Sequence, residues 1–431
     1  MTNTVADLLA WHLRAAGVRR VFGAAVAGLD HVPVADDELA ALVADASGHT
    51  GTAPGVALLS DMRLRVSSRP GGTADPITVS DATHLARAVA SACALAGGAV
   101  PATAELKLDL DLDAPDDQPN SIVRTTEVGE STLPDPAGSV AVLAGPGVVR
   151  TGYLDGVRAF AASAGLGVAN TWGAKGLFPW DSPHHLGTCG LQADDFALLG
   201  FGEVELIVAT GLDPDEAPQP LWALAPHVTV APAHLTALAQ RWRRSAPAGP
   251  PNLLYPRLAA VVQRLSPSTR VPLSPARAVV DLRAALPPTG LLAADPGIAG
   301  LWVARTFPTT IAGSIGVPAT VAPGYAAAAA LVARLDGRPA VAVTMAPIER
   351  MSTRVLELAL SLGIGFPFEM WAEDGMLSAA DDHLDALEAA IDDYARVTLL
   401  TVPVDATQTE ELVAVAGDVV AWGGLPPSAG A

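Results

Sequence analysis

The sequence predicts an α/β protein with three doubly wound domains, each built on a parallel sheet with helices on both faces. Short apolar runs alternate with stretches of helical periodicity along the whole chain, which is typical of this class. Two segments without periodicity, 113–137 and 245–251, are rich in proline and small or polar residues and divide the series. A length of 431 residues also suits two or three domains rather than one. We therefore predict domains at residues 1–115, 136–266 and 272–425.

The first domain begins with helical spacing over residues 5–17, which Gly17 is expected to end. Asp36 and Asp37 precede an apolar periodic run and suit the start of a second helix. A further helix is predicted over 80–96. Strands are predicted over 21–23 and 55–59, and residues 106–112 alternate as a half-exposed or edge strand does.

The second and third domains repeat the strand and helix alternation. In the second, strands are predicted at 140–144, 167–170, 205–210 and 228–230, and helices at 153–164, 194–199 and 256–265. In the third, Ser274 is the predicted N-cap of a helix over 275–286. Further helices are predicted at 324–335, 353–362 and 383–395, and strands at 290–294, 340–344, 365–370 and 397–402.

Composition excludes several classes of partner. The formal net charge is −19, from 26 basic and 45 acidic residues, and a field of that sign repels nucleic acid and anionic lipid. Two cysteines, Cys93 and Cys189, form neither a disulfide framework nor a metal cluster. The first residues lack the basic and then apolar pattern of a signal peptide, and we expect no apolar stretch to span a bilayer. We expect a cytoplasmic protein.

The most specific motif lies in the second domain. Residues 170–178 read Asn-Thr-Trp-Gly-Ala-Lys-Gly-Leu-Phe, and 181–191 read Asp-Ser-Pro-His-His-Leu-Gly-Thr-Cys-Gly-Leu. With the turn Gly145-Pro146-Gly147 and residues 206–213, these strings closely resemble the central domain of thiamine diphosphate (ThDP) enzymes of the acetolactate synthase and 2-oxoacid decarboxylase type. Residues 4–23 resemble the start of the family's pyrimidine-binding domain, and 274–295 that of its diphosphate-binding domain. Family members are usually longer, and the missing length falls in these two outer domains.

The resemblance implies one activating carboxylate. In the family, a glutamate of the pyrimidine-binding domain contacts the aminopyrimidine ring and promotes formation of the reactive ylid, while the cofactor does the carbanion chemistry. Glu38 matches that position. An alternative interpretation is a solvated acid in a first helical turn, which the helix dipole favours. The family's turn and long helical stretch after the next strand are shortened here, between Ser60 and Thr73.

The diphosphate turn implied by the resemblance lacks its usual chemistry. The family binds Mg²⁺ through an aspartate in a Gly-Asp-Gly turn and an asparagine further along, since Mg²⁺ requires hard oxygen ligands. Here the turn is Met345-Ala346-Pro347, without a side-chain oxygen, and the proline removes an N–H. The asparagine region aligns with Glu373 and Asp374, which are either an atypical cation site or two acids on a surface turn.

Other polar residues are interpreted as structural. Asp295 follows the first strand of the third domain and is expected to cap the next helix. His184, His185 and Lys175 fall in the central domain, away from the chemistry. Some relatives bind FAD or a nucleotide there, but the glycine turn is weak evidence, and we do not expect FAD.

The sequence thus favours a ThDP-family subunit without its own Mg-diphosphate site. We expect it to act with an intact ThDP-binding paralogue, supplying Glu38 in decarboxylation or carboligation of a 2-oxo acid. ThDP and Mg²⁺ would then bind only at an interface with the partner chain, in a homo- or hetero-dimer or tetramer. Three alternatives remain: an inactive structural or regulatory homologue, a stand-alone lyase or transferase with an atypical metal site at Glu373 and Asp374, and a small-molecule sensor or scaffold.

Overall fold

The computed structural model describes residues 4–115, 138–242 and 252–425. The predicted linker 245–251, and residues 116–137 of the other predicted linker, lie outside the described residues. The chain divides into two compact units, residues 1–129 and 130–431. The first unit holds one sheet and the second holds two, so the prediction of three α/β domains is confirmed. The boundaries that we predict for the middle and third domains inside the second unit stay predictions.

The first unit is built on a six-stranded sheet with the order β2-β1-β3-β4-β6-β5. Its elements are α1 (Val5–Ala15), β1 (Arg20–Gly23), β2 (Asp30–Pro33), α2 (Asp37–Thr50), β3 (Gly55–Leu58), β4 (Arg63–Ser67), β5 (Ile77–Val79), α3 (Ala82–Ala96) and β6 (Thr103–Leu108). Gly17, with φ of 84°, follows the end of α1 as the sequence predicts.

Strand β4 makes this first sheet mixed rather than purely parallel. It pairs antiparallel with β3 and with β6. No strand is predicted for this segment. Of the two interpretations of β6, an edge strand is wrong, because β6 lies between β4 and β5, whereas the half-exposed alternation is present, with Leu106 and Leu108 buried and Lys107 partly exposed. A buried guanidinium helps to fix β4: Arg65 donates to Asp45 of α2 at 2.8 Å and to Glu105 of β6 at 2.7 Å. The shortened region therefore still contributes a strand to the sheet.

The middle domain carries a five-stranded parallel sheet of order β11-β10-β7-β8-β9. Its elements are β7 (Val140–Ala144), α4 (Gly147–Arg150), α5 (Leu154–Ala164), β8 (Val168–Thr171), β9 (His185–Cys189), α6 (Asp195–Leu198), β10 (Leu206–Thr210), α7 (Gln219–Trp222), β11 (His227–Thr229), α8 (Leu235–Arg241) and α9 (Leu254–Leu265).

The third domain has another five-stranded parallel sheet, of order β13-β12-β14-β15-β16. Its elements are α10 (Pro275–Ala285), β12 (Leu291–Ala294), α11 (Ile298–Thr306), β13 (Ile315–Gly316), α12 (Tyr325–Leu335), β14 (Ala340–Met345), α13 (Arg350–Ser361), β15 (Pro367–Ala372), α14 (Asp382–Ile391), β16 (Thr398–Pro403) and α15 (Glu410–Ala416). Ser274 caps α10 as predicted, accepting the N–H of Arg277 at 3.0 Å.

The middle and third domains share one apolar core. Trp172 of the middle domain and Trp302 and Trp371 of the third belong to the same cluster of fully buried side chains. Both cysteines are buried, and burial raises the pKa of the Cys93 thiol to about 12, so it is not prepared as a thiolate. No helix among the described residues combines the length and apolar character needed to cross a bilayer.

Candidate functional site

The topology of the third sheet points to one crevice. The chain passes from β12 to β13 on one side and then to β14 on the other side of β12. Ligands of open α/β sheets bind where the strand order reverses, at the carboxyl ends of the strands. That crevice is flanked by Asp295 after β12 and by the predicted turn Met345-Ala346-Pro347, of which Met345 is the last residue of β14 and the other two follow the strand. The structure therefore brings these two predicted segments to neighbouring strand ends.

The turn after β14 offers little to an anion. Ala346 donates its backbone N–H to the carbonyl oxygen of Trp371 on β15, at 2.8 Å. Pro347 has no N–H to donate. Met345 is half-buried, and the side chains of Ala346 and Pro347 are exposed and apolar. These three residues present neither a side-chain oxygen nor an uncommitted amide from Ala346 or Pro347.

Asp295 has a different role from the one predicted. We expect it to cap the next helix, which is α11, but the residue that precedes α11 is Gly297, without a side-chain cap. The Asp295 carboxylate instead accepts the N–H of Ala326 in the first turn of α12, at 2.8 Å. The prediction is therefore wrong about the helix and right about capping. Burial raises the pKa of Asp295 to about 6, although bonds from Ala326 and Thr344 oppose the rise.

Glu373 and Asp374 follow β15 at the same edge of the sheet, and both are exposed. Within residues 4–115, 138–242 and 252–425, no group of three or more His, Cys, Asp or Glu is placed to hold a metal ion. The two acids are therefore not joined by a third such ligand in the described chain. Glu349 interacts electrostatically with Asp295 and adds a further acid near this edge, and Arg350 follows it directly.

Glu38 lies in the first turn of α2, in the first unit, and its side chain is exposed. The acids beside it hold the backbone. Asp36 accepts the N–H of Leu39 at 2.9 Å, and Asp37 accepts both the N–H and the hydroxyl of Ser60, at 2.8 and 2.7 Å. The helix start that presents Glu38 is thereby fixed by its neighbours on both sides.

His184 and His185 lie at the start of β9, which is the amino end of the middle sheet. The His184 ring is hydrogen-bonded to the carbonyl oxygen of Leu166 at 2.8 Å. Burial, with a smaller contribution from the charge of Lys175, lowers the pKa of His185 to about 4. Both rings are thus placed as parts of the domain's packing.

The recognisable motif of the middle domain contacts the third domain. Trp172 donates its indole N–H to Val317 at 3.1 Å, and Lys175 donates its ammonium to Ala304 at 2.8 Å, in both cases to a backbone carbonyl. A Cβ at Gly176, where φ is 84°, would overlap the carbonyl of Ile311. These contacts explain the tryptophan, the lysine and the glycine of the motif.

Comparison with known proteins agrees with this geometry. Residues 136–239 match the family model of the thiamine pyrophosphate enzyme central domain. The match covers the middle domain, including the motif at residues 170–191, and does not extend to the third domain. It supports a relation of the middle domain to thiamine diphosphate enzymes.

A solved structure shows the same fold. A protein from Mycobacterium smegmatis, described as a candidate thiamin diphosphate-dependent enzyme, is similar with a TM-score of 0.65 and 16% sequence identity. The similarity covers 93% of this chain and 99% of that chain, so the two proteins share a fold over nearly the whole of this chain. No curated protein matches the sequence.

The resemblance to the family implies ThDP with Mg²⁺, but the residues that follow β14 in the third domain do not suit a bound Mg-diphosphate. A diphosphate at a strand end is normally held by backbone N–H groups, and its Mg²⁺ by hard oxygen ligands. In this chain the Ala346 N–H is bonded to Trp371, and Pro347 has none. The acids at the same edge would repel the diphosphate. The described residues at this strand end therefore provide no diphosphate site of the usual kind.

The turn Gly145-Pro146-Gly147 of the middle domain packs closely against the end of β10. Gly145 donates its N–H to Thr210 at 2.9 Å, and Gly147 donates to Gly211 at 2.8 Å. A Cβ at Gly145 would collide with the backbone of Gly211 and Leu212. The glycines are thus explained by the close approach of two strand ends, and they add no support for a bound nucleotide.

The structure contains two networks of buried charged side chains that the sequence does not predict. Arg305 of α11 pairs with Asp195 of α6 at 2.8 Å, with both side chains fully buried, and also donates to the carbonyl oxygen of Thr188. His383 of α14 lies between Asp281 and Glu369, at 3.0 and 3.1 Å. Their members are far apart in sequence, so no local motif announces them.

Lys175 provides a prediction for the interdomain contact. Burial, aided by the charge of Arg305, lowers the pKa of Lys175 to about 7. Between that pKa and the usual 10.4 the unfolded chain binds the proton that the folded chain does not, so the lysine makes stability fall as pH falls. We expect Lys175→Met to cost about 1 kcal/mol near pH 11, where neither state is protonated and only the bond to Ala304 is lost, and to be stabilising by at least about 1 kcal/mol at pH 7.

The measurement is urea unfolding of wild type and Lys175→Met at several pH values, followed by tryptophan fluorescence. Lys107→Met, at a half-exposed lysine of the first unit, is the control and should show no such crossover. A variant that is less stable than wild type by the same amount at every pH would contradict the assignment of a desolvated amine.

Proposed function

We propose that this chain is a subunit of a ThDP-dependent enzyme that acts with an intact ThDP-binding partner chain. The chemistry would be decarboxylation or carboligation of a 2-oxo acid. The proposal rests on the two residues that follow β14. The backbone N–H of Ala346 is hydrogen-bonded to the carbonyl oxygen of Trp371, and Pro347 has no N–H. A chain with that turn needs another chain to hold Mg-diphosphate.

Glu38 is the residue that this chain would contribute. Its resemblance to the family's activating glutamate, its exposure and the fixed helix start around it all support this role. A carboxylate held on a capped helix can accept or direct a proton at a defined atom of a bound ring. The partner would supply the metal and the diphosphate contacts.

An inactive structural or regulatory homologue is the alternative that the same turn supports. A stand-alone enzyme with a metal at Glu373 and Asp374 is less well supported, because both acids are exposed and lack a third ligand among the described residues. Calorimetry separates the stand-alone enzyme from the other two. We expect the isolated chain to bind no ThDP in the presence of Mg²⁺, and tight Mg²⁺-dependent binding would end the proposal.

The decisive variant is Glu38→Gln. The chain should be co-expressed with a ThDP-family chain that keeps the Gly-Asp-Gly turn, and the complex assayed for 2-oxo acid turnover and for bound ThDP. Loss of general acid-base catalysis predicts a fall in kcat of about 100-fold or more, with the complex still assembled. Glu388→Gln, at an exposed helical glutamate of α14, serves as the control and should keep full activity.

Three outcomes distinguish the candidates. A complex that turns over and depends on Glu38 supports the proposed role. An active complex that is unaffected by Glu38→Gln would remove Glu38 from the mechanism. A complex with no turnover in wild type would favour the structural or regulatory homologue.

A further inference from the structure

Asp37 connects the part of α2 that carries Glu38 to the turn between β3 and β4. Its Oδ1 accepts the backbone N–H of Ser60 at 2.8 Å, and its Oδ2 accepts the Ser60 hydroxyl at 2.7 Å. The two residues are 23 positions apart, so the contact joins separate elements. Because both carboxylate oxygens are used, the rotation of the carboxylate is fixed as well as its position. The residue directly before Glu38 is thereby held by another part of the sheet.

The contact of Asp37 with Ser60 is additional to capping. The N-cap of α2 is Asp36, whose side chain accepts the N–H of Leu39 at 2.9 Å. Asp36 therefore already has the role that an acid normally has at a helix start. An acid in the first turn also interacts favourably with the helix dipole when it faces water. The Asp37 carboxylate binds Ser60 instead, so the contact serves something other than the helix alone.

The turn that presents Ser60 comprises residues 59–62 and has a defined shape. Met62 donates its N–H to the carbonyl oxygen of Leu59 at 3.1 Å, and its φ of 62° lies in the left-handed region that favours glycine. A methionine keeps such a conformation only where its surroundings hold it. Here the carbonyl oxygen of Met62 accepts the N–H of Leu108, the last residue of β6, at 2.9 Å.

Two half-buried basic residues hold the same turn. Arg63 donates to the carboxylate of Asp61 at 2.7 Å, and Lys107 of β6 donates to the backbone carbonyl oxygen of Asp61. A single ion pair of this kind contributes little free energy, but these contacts add to the bond between the turn and the end of β6. Ser60 is therefore presented to Asp37 by a turn that is tied to the sheet.

The turn lies where the chain is shorter than the resemblance implies. Strand β3 ends at Leu58 and β4 begins at Arg63, so residues 59–62 join them directly. A longer stretch that is absent cannot pack against the start of α2. The hydrogen bonds from Ser60 to Asp37 provide a short connection between the same two regions.

We propose that Asp37 and Ser60 are positioning residues for Glu38. Their contact fixes the backbone on which Glu38 lies, and thereby the point from which its carboxylate reaches the ring held by the partner chain. This inference rests on the function proposed above, because it concerns how Glu38 is held. A displaced catalytic group loses reactivity while the ligand is still bound, so the effect belongs in kcat rather than in binding.

The test uses the complex of this chain with a ThDP-family chain that keeps the Gly-Asp-Gly turn. Asp37→Ala removes both hydrogen bonds, and we expect kcat to fall about 10-fold or more while KM and the amount of bound ThDP stay the same. Asp37→Asn keeps an oxygen for the Ser60 N–H and an amide that can donate to the Ser60 hydroxyl, so it should retain most of kcat. A loss from Asp37→Asn as large as that from Asp37→Ala would overturn the proposal, because the charge rather than the contact would then matter.

A second pair of variants shows whether Asp37 acts through Glu38. In the Glu38→Gln background, Asp37→Ala should lower kcat by less than about 2-fold, because the group that it positions is already lost. Asp81→Ala is the matched control. It removes the N-cap of α3, where Asp81 accepts the N–H of His84 at 2.7 Å, and it should lower the stability of the first unit without changing kcat. An equal fall from Asp37→Ala in both backgrounds, or an equal fall from Asp81→Ala, would overturn the assignment.

Amide hydrogen exchange of the full chain tests the contact without turnover. The Ser60 amide should exchange at least about 10-fold faster in Asp37→Ala than in wild type, because its acceptor is removed. Equal exchange rates would overturn this inference alone. Unchanged turnover in Glu38→Gln, or no turnover in the wild-type complex, would remove the function proposed above and this inference with it.

Discussion

Replacing Arg305 with methionine should lower the free energy of unfolding of the chain by about 3–5 kcal/mol. The guanidinium is fully buried, and its removal leaves the carboxylate of Asp195 without a countercharge in the core. Burial already raises the pKa of Asp195, and Arg305 is the main influence that opposes the rise. The variant also loses the bond from α11 to the carbonyl oxygen of Thr188. Urea unfolding at pH 7, followed by the buried tryptophans, measures the effect.

A second and a third variant make this prediction specific. Asp195→Asn combined with Arg305→Met should recover part of the loss, because no uncompensated charge then remains in the core. Arg396→Met removes an exposed ion pair with Asp393 and should cost less than about 1 kcal/mol. Equal losses for Arg305→Met and Arg396→Met would show that the buried pair does not hold the two domains together.

Replacing His383 with glutamine should remove a stabilisation that depends on pH. The imidazole is fully buried between Glu369 and Asp281. Burial alone would lower the pKa of His383, but the two carboxylates outweigh it and raise the pKa to about 9. The folded chain therefore keeps a proton that the unfolded chain releases near pH 6.5. The stabilisation is complete below pH 6.5 and is lost as pH rises through about 9, by roughly 3 kcal/mol in total.

The quantity to measure is the difference in unfolding free energy between wild type and His383→Gln, from pH 6 to pH 10. The difference is needed because Lys175 acts with the opposite sign in much of this window. We expect the variant to be less stable at pH 6 and the gap to shrink as pH rises. A gap that stays constant with pH would mean that His383 is neutral in the folded chain.

Much of the fold could be predicted because apolar periodicity reports burial. Helix α5 and strand β14, for example, lie within a residue or two of the ranges that their patterns indicate. Strand β4 is not predicted, because Arg63 and Arg65 interrupt its apolar residues. Its antiparallel direction could not be predicted either, because alternation looks the same in a parallel and an antiparallel strand. Its buried Arg65 looks like a surface residue until Asp45 and Glu105 are seen around it.

The candidate site, too, could be predicted only in part from the sequence. The sequence shows that Met345, Ala346 and Pro347 offer no side-chain oxygen to a metal ion, because this depends only on which atoms those residues have. The bond that occupies the Ala346 N–H is not visible, since its partner Trp371 comes from another strand. Asp295 shows the limit most clearly, because the helix that it caps is chosen by sheet topology rather than by distance along the chain.

The contacts of Trp172, Lys175 and Gly176 with the third domain have a consequence for how such a chain can change over time. None of these contacts uses the residues of the turn after β14. Substitutions at that turn can remove metal ligands while the contacts between the middle and third domains are kept. The residues that the family model matches in the middle domain therefore include those that join it to the third domain, and they carry no information about metal chemistry at the turn after β14.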